Sequence, residues 1–547
     1  MQPNKTAKVF FMSTIYLGIV VFLIMLAIFD IVVGVSNDAV NFINSAIGSR
    51  AARFRTIILV AAVGVFAGAA LSNGMMDIAR HGIFTPQYFS FEDVMCIFLA
   101  VVVTDVVLLD VFNTLGMPTS TTVSMVFELL GGAFALSLFK VMGDSSLSFG
   151  MLLNTDKAIQ VIMAIFMSVA IAFVFGWIVQ WITRLLFTFK TSHAPVRSGL
   201  FAGLSLTAIV YFLLINGLKG SSLMTPELKA FVDENTFMIV VCSFVGFTVL
   251  MTMLNFFKVN ALKVVVLSGT FALAMAFAGN DLVNFIGVTL AGISSYQYFI
   301  TNGAGDPSTF MMTSLMESDK TPIFYLVGAG AIMVVALTTS KKAHNVVKTS
   351  VDLSRQDEGD EMFGSSAMAR SIVRYTSTGA RAVSAVIPES VSRWVEKRFN
   401  VSESHLEDGA AFDLLRAAVN LVLAGLLVAL GTSLKLPLST TYVTFMVAMG
   451  SSLADKAWTR ESAVFRVTGV ISVIGGWFIT AGVAFTMASL VCSAMYFGGI
   501  VVMLAFIALA VFLLVRSNIK YAKRAQKKDE LDEIFKQIVA LPQNPGK

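Results

Sequence analysis

The chain has 547 residues, of which 56% are hydrophobic and only 13% are charged, and its formal net charge is +5. Soluble domains carry about 25% charged residues, so this composition excludes a soluble globular protein and predicts a chain embedded in lipid. The basic residues lie between apolar segments and in the C-terminal tail. We therefore interpret the positive charge as a signal of membrane topology and predict no nucleic-acid partner.

Apolar runs long enough to cross a bilayer as helices begin near the N-terminus, at residues 9–33, and recur, for example, at 158–183 and 494–515. A membrane-spanning helix needs about 20 such residues, whereas outer-membrane strands would be shorter and would alternate in polarity. The first run is too long for the core of a signal peptide, so we interpret it as a retained span. The sequence thus predicts an all-α polytopic membrane protein with about 12 to 13 transmembrane segments.

The residue types that usually carry catalysis form no recognisable site. The four histidines lie outside the apolar runs, and the chain contains no P-loop, no G-x-S-x-G and no H-E-x-x-H motif. Cys96, Cys242 and Cys492 fall inside or at the edge of apolar runs without the spacing of metal ligands, so we predict buried packing residues. We therefore predict that the chain is not an enzyme and has no cofactor.

The first polar box inside an apolar run is residues 36–43 (SNDAVNFI), and residues 279–286 (GNDLVNFI) repeat its N-D-x-V-N-F-I frame. An Asp at bilayer depth costs about 3 kcal/mol on insertion scales, so Asp38 and Asp281 need a cation, a proton or an aqueous cavity. Hard oxygen ligands of this kind suit alkali cations. The candidate cation ligands are Asn37, Asp38, Asn41, Asn280, Asp281 and Asn284. The alternative is a network of amides and carboxyls that holds helices together.

A second box, P-x-S-T-T, occurs at residues 118–122 and again at 437–441. Proline is tolerated in the first turn of a helix, so each box predicts an interruption followed by a helix start with exposed backbone N–H groups. Such a start, with its hydroxyls, suits a tetrahedral oxyanion. The candidate anion-binding residues are Asp38 and Asp281 with Ser120, Thr121, Thr122, Ser439, Thr440 and Thr441. The alternative is a helix kink whose hydroxyls bond to backbone carbonyls.

The two boxes recur in the same order, which predicts one fold unit used twice, and the charges around the boxes predict that the two copies point in opposite directions. Three arginines follow the first Asn-Asp box, whereas three acidic residues and one lysine follow the second: Arg50, Arg53 and Arg55, against Asp306, Glu317, Asp319 and Lys320. Lys and Arg in short flanks favour the cytoplasm. Inverted repeats with the site on discontinuous helices near the midplane are a recurring plan for secondary transporters.

Composition divides the chain into six parts. They are a first transmembrane repeat (1–190), connecting transmembrane helices (191–257), the first part of the second repeat (258–340), a polar insertion (341–410), the second part of that repeat (411–515) and a basic tail (516–547). We predict a multi-pass protein of the inner cell membrane whose insertion and C-terminal tail are cytoplasmic.

The paired N-D-x-V-N and P-x-S-T-T boxes resemble those of the inorganic phosphate transporter (PiT) family of ion-coupled phosphate carriers and its close sulfate-transporting relatives. The resemblance spans both membrane halves and extends to the polar insertion. It implies import of inorganic phosphate by cotransport with Na+ or H+, with the phosphate site made by Asp38, Asp281 and the hydroxyl boxes. The chain departs from the family pattern at Ser36 and Gly279, which precede the Asn-Asp pairs, and at Glu128, where a small residue is typical.

Chemistry at the carboxylates favours phosphate over sulfate. At neutral pH phosphate carries at least one proton, whose hydrogen bond Asp38 or Asp281 can accept, whereas both would repel a bare sulfate. Glu128 lies six residues beyond Thr122 in an apolar stretch, where it is a candidate proton-coupling group or a helix-packing residue. Asp30, Asp105 and Asp110 are the other acidic residues at membrane depth.

The partners predicted from the sequence are inorganic phosphate, Na+ or H+, and the lipid bilayer, with a homodimer as the assembly to test. The alternative functions are a sulfate or other oxyanion permease of the same fold and an anion channel. A channel predicts flux that does not depend on a coupled cation.

Overall fold

The computed structural model describes most of the two membrane halves and only parts of the polar insertion. The described residues are 4–72, 75–115, 119–189, 194–213, 225–302, 306–317, 321–339, 351, 366–371, 373–375, 378, 388–400, 409–457 and 462–540. Pro118 and most of the predicted insertion lie outside these ranges. Within them the chain is helical, and its only β contacts are two isolated bridges, Phe84 with Leu153 and Ser90 with Met311.

Fourteen α-helices follow one another along the described chain. They are α1 (Asn4–Gly48), α2 (Phe54–Leu71), α3 (Phe91–Leu115), α4 (Thr121–Gly143), α5 (Phe149–Leu152), α6 (Thr155–Phe187), α7 (Pro195–Val210), α8 (Pro226–Phe256), α9 (Ala261–Asn302), α10 (Ile323–Thr339), α11 (Glu389–Arg398), α12 (Leu414–Ser433), α13 (Thr440–Ala454) and α14 (Ser462–Ala540). A π-turn (Ile78–Gly82) and two 3-10 turns (Pro86–Tyr88 and Thr313–Met316) lie in the connections.

Ten helices of the described chain are long and apolar enough to cross a membrane. This confirms the all-α polytopic class, and two features explain why the number is below the predicted 12 to 13. Gly499, with φ at 59°, interrupts α14, so that the helix comprises two segments. The apolar helix α10 has 17 residues, which is at the lower limit of about 17 for a span.

The two helices that carry the Asn-Asp boxes, α1 and α9, run antiparallel. Where the N-terminal part of α1 meets the C-terminal part of α9, the Tyr296 hydroxyl donates to the carbonyl of Ser13 at 3.3 Å. Farther along, the rings of Phe42 and Phe277 lie 5.1 Å apart. Early residues of α1 thus contact late residues of α9, and later residues of α1 contact earlier ones of α9. The two boxes therefore lie at the same level of the helix pair, with their chains running in opposite directions.

Two helical hairpins complete the centre of the fold, one formed by α3 and α4 and the other by α12 and α13. An ion pair closes the base of the first hairpin, where Lys140 Nζ lies 2.7 Å from Asp93 Oδ2. Arg184 of α6 closes the base of the second, because its Nη2 lies 2.8 Å from Asp413 Oδ1 and 2.7 Å from Asp455 Oδ2. Each hairpin is thus fixed at its open end by buried or half-buried charges.

The hairpin bases lie at opposite ends of α1. Phe91, at the start of the first hairpin, packs on Tyr16 near the N-terminus of α1, with 4.8 Å between the ring centroids. The N–H of Ala411, just before the second hairpin, donates at 2.7 Å to the carbonyl of Gly48, at the C-terminus of α1. The hairpins therefore enter from opposite sides and meet tip to tip. This geometry agrees with the predicted inversion, and the relation between the two complete halves stays a prediction.

Glycines allow the flanking helices to pack closely on the hairpins. A Cβ at Gly450 of α13 would lie 2.2 Å from the carbonyl oxygen of Phe173 in α6, and one at Gly131 of α4 would lie 2.3 Å from that of Phe485 in α14. Small residues permit such close backbone approach, which favours helix association in lipid. Each hairpin is thus held by a long helix from the other half of the chain.

The cysteine prediction is correct for two residues and wrong for one. Cys96 and Cys492 are buried between α3 and α14, with their Sγ atoms 3.7 Å apart. Cys242 is exposed on α8. Because lipid is as apolar as a protein core, an apolar run fixes the environment of a helix but not which of its faces is covered by protein.

Candidate functional site

The Asn-Asp boxes lie within unbroken helices, so the discontinuous helices that the sequence predicts at the site are not the helices that carry these boxes. Residues 36–43 are helical throughout α1, and residues 279–286 are helical throughout α9. The interruptions occur instead at the hairpin tips, immediately before α4 and α13. Asn and Asp are compatible with an intact helix when their side chains bond to neighbouring helices rather than to the local backbone. Backbone groups at the site therefore come from the hairpin tips.

The P-x-S-T-T boxes form helix starts, as the sequence predicts. Ser120 is the N-cap of α4 and its Oγ accepts from the N–H of Val123 at 3.2 Å, while Ser439 is the N-cap of α13 and accepts from the N–H of Tyr442 at 3.2 Å. All six hydroxyl residues of the two boxes are buried. Two positive helix ends thus face the centre of the protein, where they favour a negative charge.

Asp38 accepts hydrogen bonds from both hairpins. Thr121 Oγ1 donates to Asp38 Oδ2 at 2.9 Å, and Thr441 Oγ1 donates to Asp38 Oδ1 at 3.3 Å. The carboxyl group is fully buried. One acidic side chain of α1 therefore connects the starts of α4 and α13.

Asp281 occupies the corresponding position on α9 and accepts from a larger set of donors. Thr122 Oγ1 donates to its Oδ1 at 2.9 Å, and Thr440 Oγ1 donates to its Oδ2. The amides of Asn280 and Asn284 each donate to Oδ1 at 3.0 Å. Asp281 thus also connects the two hairpin tips, through the threonines that Asp38 does not contact.

The remaining asparagines complete the same network. Asn41 donates to Thr441 Oγ1 at 3.0 Å, and Asn284 donates to Thr122 Oγ1 at 3.0 Å. Asn37 Oδ1 accepts from the N–H of Thr119 at 3.1 Å. All the predicted cation and anion ligands therefore meet in one cluster, although they come from four separate stretches of the chain.

The charge of this cluster is unbalanced. No Lys, Arg or His occurs in residues 13–49, 119–139, 264–302 or 436–455, which surround Asp38 and Asp281. Buried carboxyl groups need an opposite charge or a proton, because an isolated ionised carboxylate is very costly in a medium of low dielectric constant. The site is therefore chemically suited to take up cations or protons together with an anion at the helix ends. The same hydrogen bonds also agree with the alternative interpretation, in which these amides and carboxyls serve to hold the helices together.

Four contributors were missed from the sequence. Thr444 Oγ1 donates to Asn41 Oδ1 at 3.2 Å, Thr119 Oγ1 donates to Thr480 Oγ1 at 3.2 Å, and the carbonyl of Leu438 accepts from Asn280 at 2.7 Å. Thr444 could have been found, because it lies three residues after Thr441 and therefore on the same face of a helix. The contacts of Thr480 and Leu438 depend on packing between distant segments.

Glu128, also a predicted site residue, lies outside this network. It lies in α4, two helical turns from Thr121, and is fully buried. Neither of its carboxyl oxygens has a hydrogen-bond partner among the described residues. The structure thus places it near the site without joining it to the threonine cluster.

Comparisons with known proteins identify the family to which this chain is similar. Residues 34–350, which include both Asn-Asp boxes and the first P-x-S-T-T box, match the model of the phosphate transporter family. A Pyrococcus furiosus protein named provisionally as a phosphate permease is 26% identical over 283 residues, which cover 50% of this chain and 65% of that protein. The alignment thus spans less than two thirds of the relative's length.

A solved structure described as the sodium-dependent phosphate transporter has the same fold. It superposes with a TM-score of 0.61 at 14% sequence identity, covering 88% of this chain and 99% of that one. This similarity supports the fold that the helix contacts define. Since the family model matches more than half of the chain, the protein belongs to the phosphate transporter family, whose members are transporters rather than enzymes.

Proposed function

We propose that the chain is a secondary active transporter that imports inorganic phosphate by cotransport with Na+ or H+. The observation that carries this proposal is the meeting of two helix N-termini with two buried carboxyl groups that have no basic partner nearby. The helix ends attract an anion, and the carboxyl groups require cations or protons. Anion and cation would thus stabilise each other in one site, which is the physical basis of cotransport.

The roles within the site follow from its hydrogen bonds. Asp38 and Asp281, with Asn37, Asn41, Asn280 and Asn284, would provide oxygen ligands for the cation. Phosphate would bind at the starts of α4 and α13, where Ser120, Thr121, Thr122, Ser439, Thr440 and Thr441 contribute hydroxyl groups. Four of these hydroxyls donate to the carboxyl groups. A cation bound to the carboxylates would compete for the same oxygens and would free the hydroxyls to donate to phosphate.

The acidic character of the site supports phosphate rather than sulfate. A protonated phosphate oxygen can donate a hydrogen bond to Asp38 or Asp281, whereas sulfate has no proton to donate at neutral pH. The carboxylates would therefore act against sulfate by repulsion.

The charges at the two ends of the fold support the predicted orientation. Arg50, Arg53 and Arg55 adjoin the base of the second hairpin, whereas Asp306 and Glu317 lie at the side of the first. Following the rule that basic flanks stay inside, the insertion and the C-terminal tail would be cytoplasmic in the inner membrane.

Uptake of radiolabelled phosphate into proteoliposomes tests the proposal. Under an inward Na+ or H+ gradient we expect saturable uptake that collapses when both gradients are removed. An excess of unlabelled phosphate should compete, whereas the same concentration of sulfate should compete weakly. Electrogenic phosphate flux that does not depend on either gradient would instead identify an anion channel. Equal competition by sulfate would identify a general oxyanion permease.

A further inference from the structure

A second group of acidic side chains lies inside the protein, separate from the Asn-Asp boxes. Asp30 of α1, Asp105 of α3 and Glu128 of α4 are each at most 2% exposed. The three carboxyl groups come from three different helices and interact electrostatically with one another. The first hairpin thus encloses an acidic cluster together with α1.

Two members of this acidic cluster are bonded directly. The carboxyl groups of Asp30 and Asp105 share a side-chain hydrogen bond. A carboxylate can only accept, so a hydrogen bond between two carboxyl groups requires a proton on one of them.

The rest of the acidic cluster has unused capacity for hydrogen bonds. Oδ1 of Asp30, Oδ1 of Asp105 and both carboxyl oxygens of Glu128 are buried and have no hydrogen-bond partner in the part of the chain that the structure describes. Leaving a buried polar atom unsatisfied costs about 1 to 3 kcal/mol, and an unpaired buried charge costs more. Glu128 in particular is fully buried beside two other acidic groups, so it needs a ligand that neutralises its charge.

The surrounding helices supply no basic group. No Lys, Arg or His occurs in residues 13–49, 91–115, 264–302 or 467–515, and the Lys of α4, Lys140, is paired with Asp93 at the base of the hairpin. The other titratable side chains on these helices in the membrane interior are Asp38 of α1, Asp110 of α3, Asp281 of α9, and Cys96 and Cys492 between α3 and α14. They add acidic groups and thiols, so the cluster gains no positive charge from its neighbours.

Geometry favours a proton over a metal ion as the missing ligand. Among the described residues, no group of three or more His, Cys, Asp or Glu side chains is arranged to hold a metal ion. A proton needs only one carboxyl oxygen, whereas an alkali or alkaline-earth cation needs several oxygen ligands at bonding distance.

The acidic cluster is also connected to the phosphate site. Asp30 precedes Asp38 by about two helical turns on α1, and both Asp30 and Asp105 interact electrostatically with Asp38. Glu128 lies two helical turns after the start of α4, in the direction of the base of the first hairpin. A change of charge in the cluster would therefore be felt at the carboxyl group that bonds to the hairpin tips.

We propose that Asp30, Asp105 and Glu128 form a proton-binding site whose protonation is coupled to phosphate transport. The inference rests on the proposed function and identifies H+ as a coupled ion. One proton binds to a carboxylate oxygen of the cluster from one side of the membrane, and the same proton leaves on the other side after phosphate has moved. No other bond is made or broken.

Neutral variants of equal shape test this site in proteoliposomes. Glu128→Gln and Asp105→Asn imitate protonated side chains that cannot release the proton. We expect each variant to carry one proton fewer per phosphate than the unaltered chain, measured with a pH-sensitive dye enclosed in the vesicles. With one coupled proton, a gradient of one pH unit can concentrate phosphate about tenfold, because one pH unit is tenfold in proton concentration. Net uptake driven by such a gradient should therefore fall by about tenfold or more when that proton is no longer carried. Exchange of internal for external labelled phosphate needs no proton release and should persist.

The controls separate proton coupling from folding. Glu128→Asp keeps a carboxyl group and should recover the proton flux, and Asp144→Asn removes an exposed acidic group next to α4 and should behave like the unaltered chain. Melting temperatures in detergent identify any variant that fails to fold, in which case the other neutral variant decides.

An unchanged ratio of protons to phosphate in a folded neutral variant would overturn the inference while leaving phosphate transport intact. A folded variant that loses exchange as well would also overturn it, because the residue would then serve phosphate movement itself. If the unaltered chain moves phosphate in neither mode, the proposed function fails first.

Discussion

Replacing Asp281 by Asn tests how the site holds a cation. Oδ1 of Asp281 accepts from Thr122, Asn280 and Asn284, whereas Thr440 is the one donor to Oδ2 among the described residues. In the variant, the amide oxygen would keep the three donors at the Oδ1 position, and the NH2 group would take the Oδ2 position. The protein would therefore lose the full negative charge and one hydrogen bond, while the other contacts keep their partners.

The size of the effect follows from this count. A hydrogen bond to a charged group contributes about 1.5 to 3 kcal/mol, which corresponds to about ten- to a hundred-fold in affinity. A bound cation would lose one charged ligand and would face an NH2 group in its place. We therefore expect the cation concentration for half-maximal phosphate uptake to rise by roughly ten- to a hundred-fold.

Labelled phosphate uptake in proteoliposomes, measured over a series of Na+ concentrations and separately over a series of external pH values, gives this quantity. Asp156→Asn is the matched control, because it removes an exposed acidic group at the start of α6 and should leave both titrations unchanged. A variant at position 281 that is correctly inserted and shows the same cation dependence as the unaltered chain would refute the cation role of Asp281.

Three further predictions concern topology and stability. A cysteine at Ser371, in the insertion, should react with membrane-impermeant thiol reagents from the cytoplasm, and one at Ser308 should react from outside, because the two positions lie at opposite hairpin bases. Arg184→Met should lower the free energy of unfolding by about 3 to 5 kcal/mol, because it removes the close ion-pair partner of both Asp413 and Asp455 and leaves Asp455 only the longer contact with Arg416 Nε at 3.9 Å. Lys140→Met should cost about 1 kcal/mol, because its pair with Asp93 is partly exposed. Gly450→Ala should cost about 1 to 3 kcal/mol by forcing α6 and α13 apart.

Each of these measurements has a defined control. Thiol labelling is done after Cys242→Ser, because Cys242 is the exposed native cysteine, and labelling of both positions from one side would contradict the orientation. Thermal unfolding in detergent compares the two ion-pair variants, and equal losses would contradict the burial of Arg184. Gly150→Ala, at a glycine with open space around its Cβ position, should be nearly neutral, and an equal loss there would contradict the packing argument.

Much of the site was predictable because local chemistry determines it. The hydroxyl boxes predict helix starts, and Ser120 and Ser439 are N-caps because a short polar side chain can accept from the N–H three residues later whatever surrounds it. The paired boxes likewise predict that Asp38 and Asp281 lie together, since a repeated unit places equivalent residues at equivalent depths. Their convergence in the structure confirms this prediction.

The sequence did not decide which helices at the site are interrupted, for a physical reason. A run of residues around Asp38 or Asp281 contains donors and acceptors that could bond either to the local backbone or to another helix. In the structure they bond to the threonines of the hairpin tips, so α1 and α9 stay intact. Which of the two occurs depends on the neighbours, and those lie far away in the sequence.

The sequence by itself determined the environment and the secondary structure of this protein, because long apolar runs must satisfy their backbone hydrogen bonds internally as helices in lipid. Only the tertiary structure decided which polar groups meet. The crossed pairing, in which each carboxylate takes one threonine from each hairpin, and the cluster of Asp30, Asp105 and Glu128 both depend on helices that cross at specific points. Side-chain contacts across helices are set by packing between distant segments, which no local pattern of residues records.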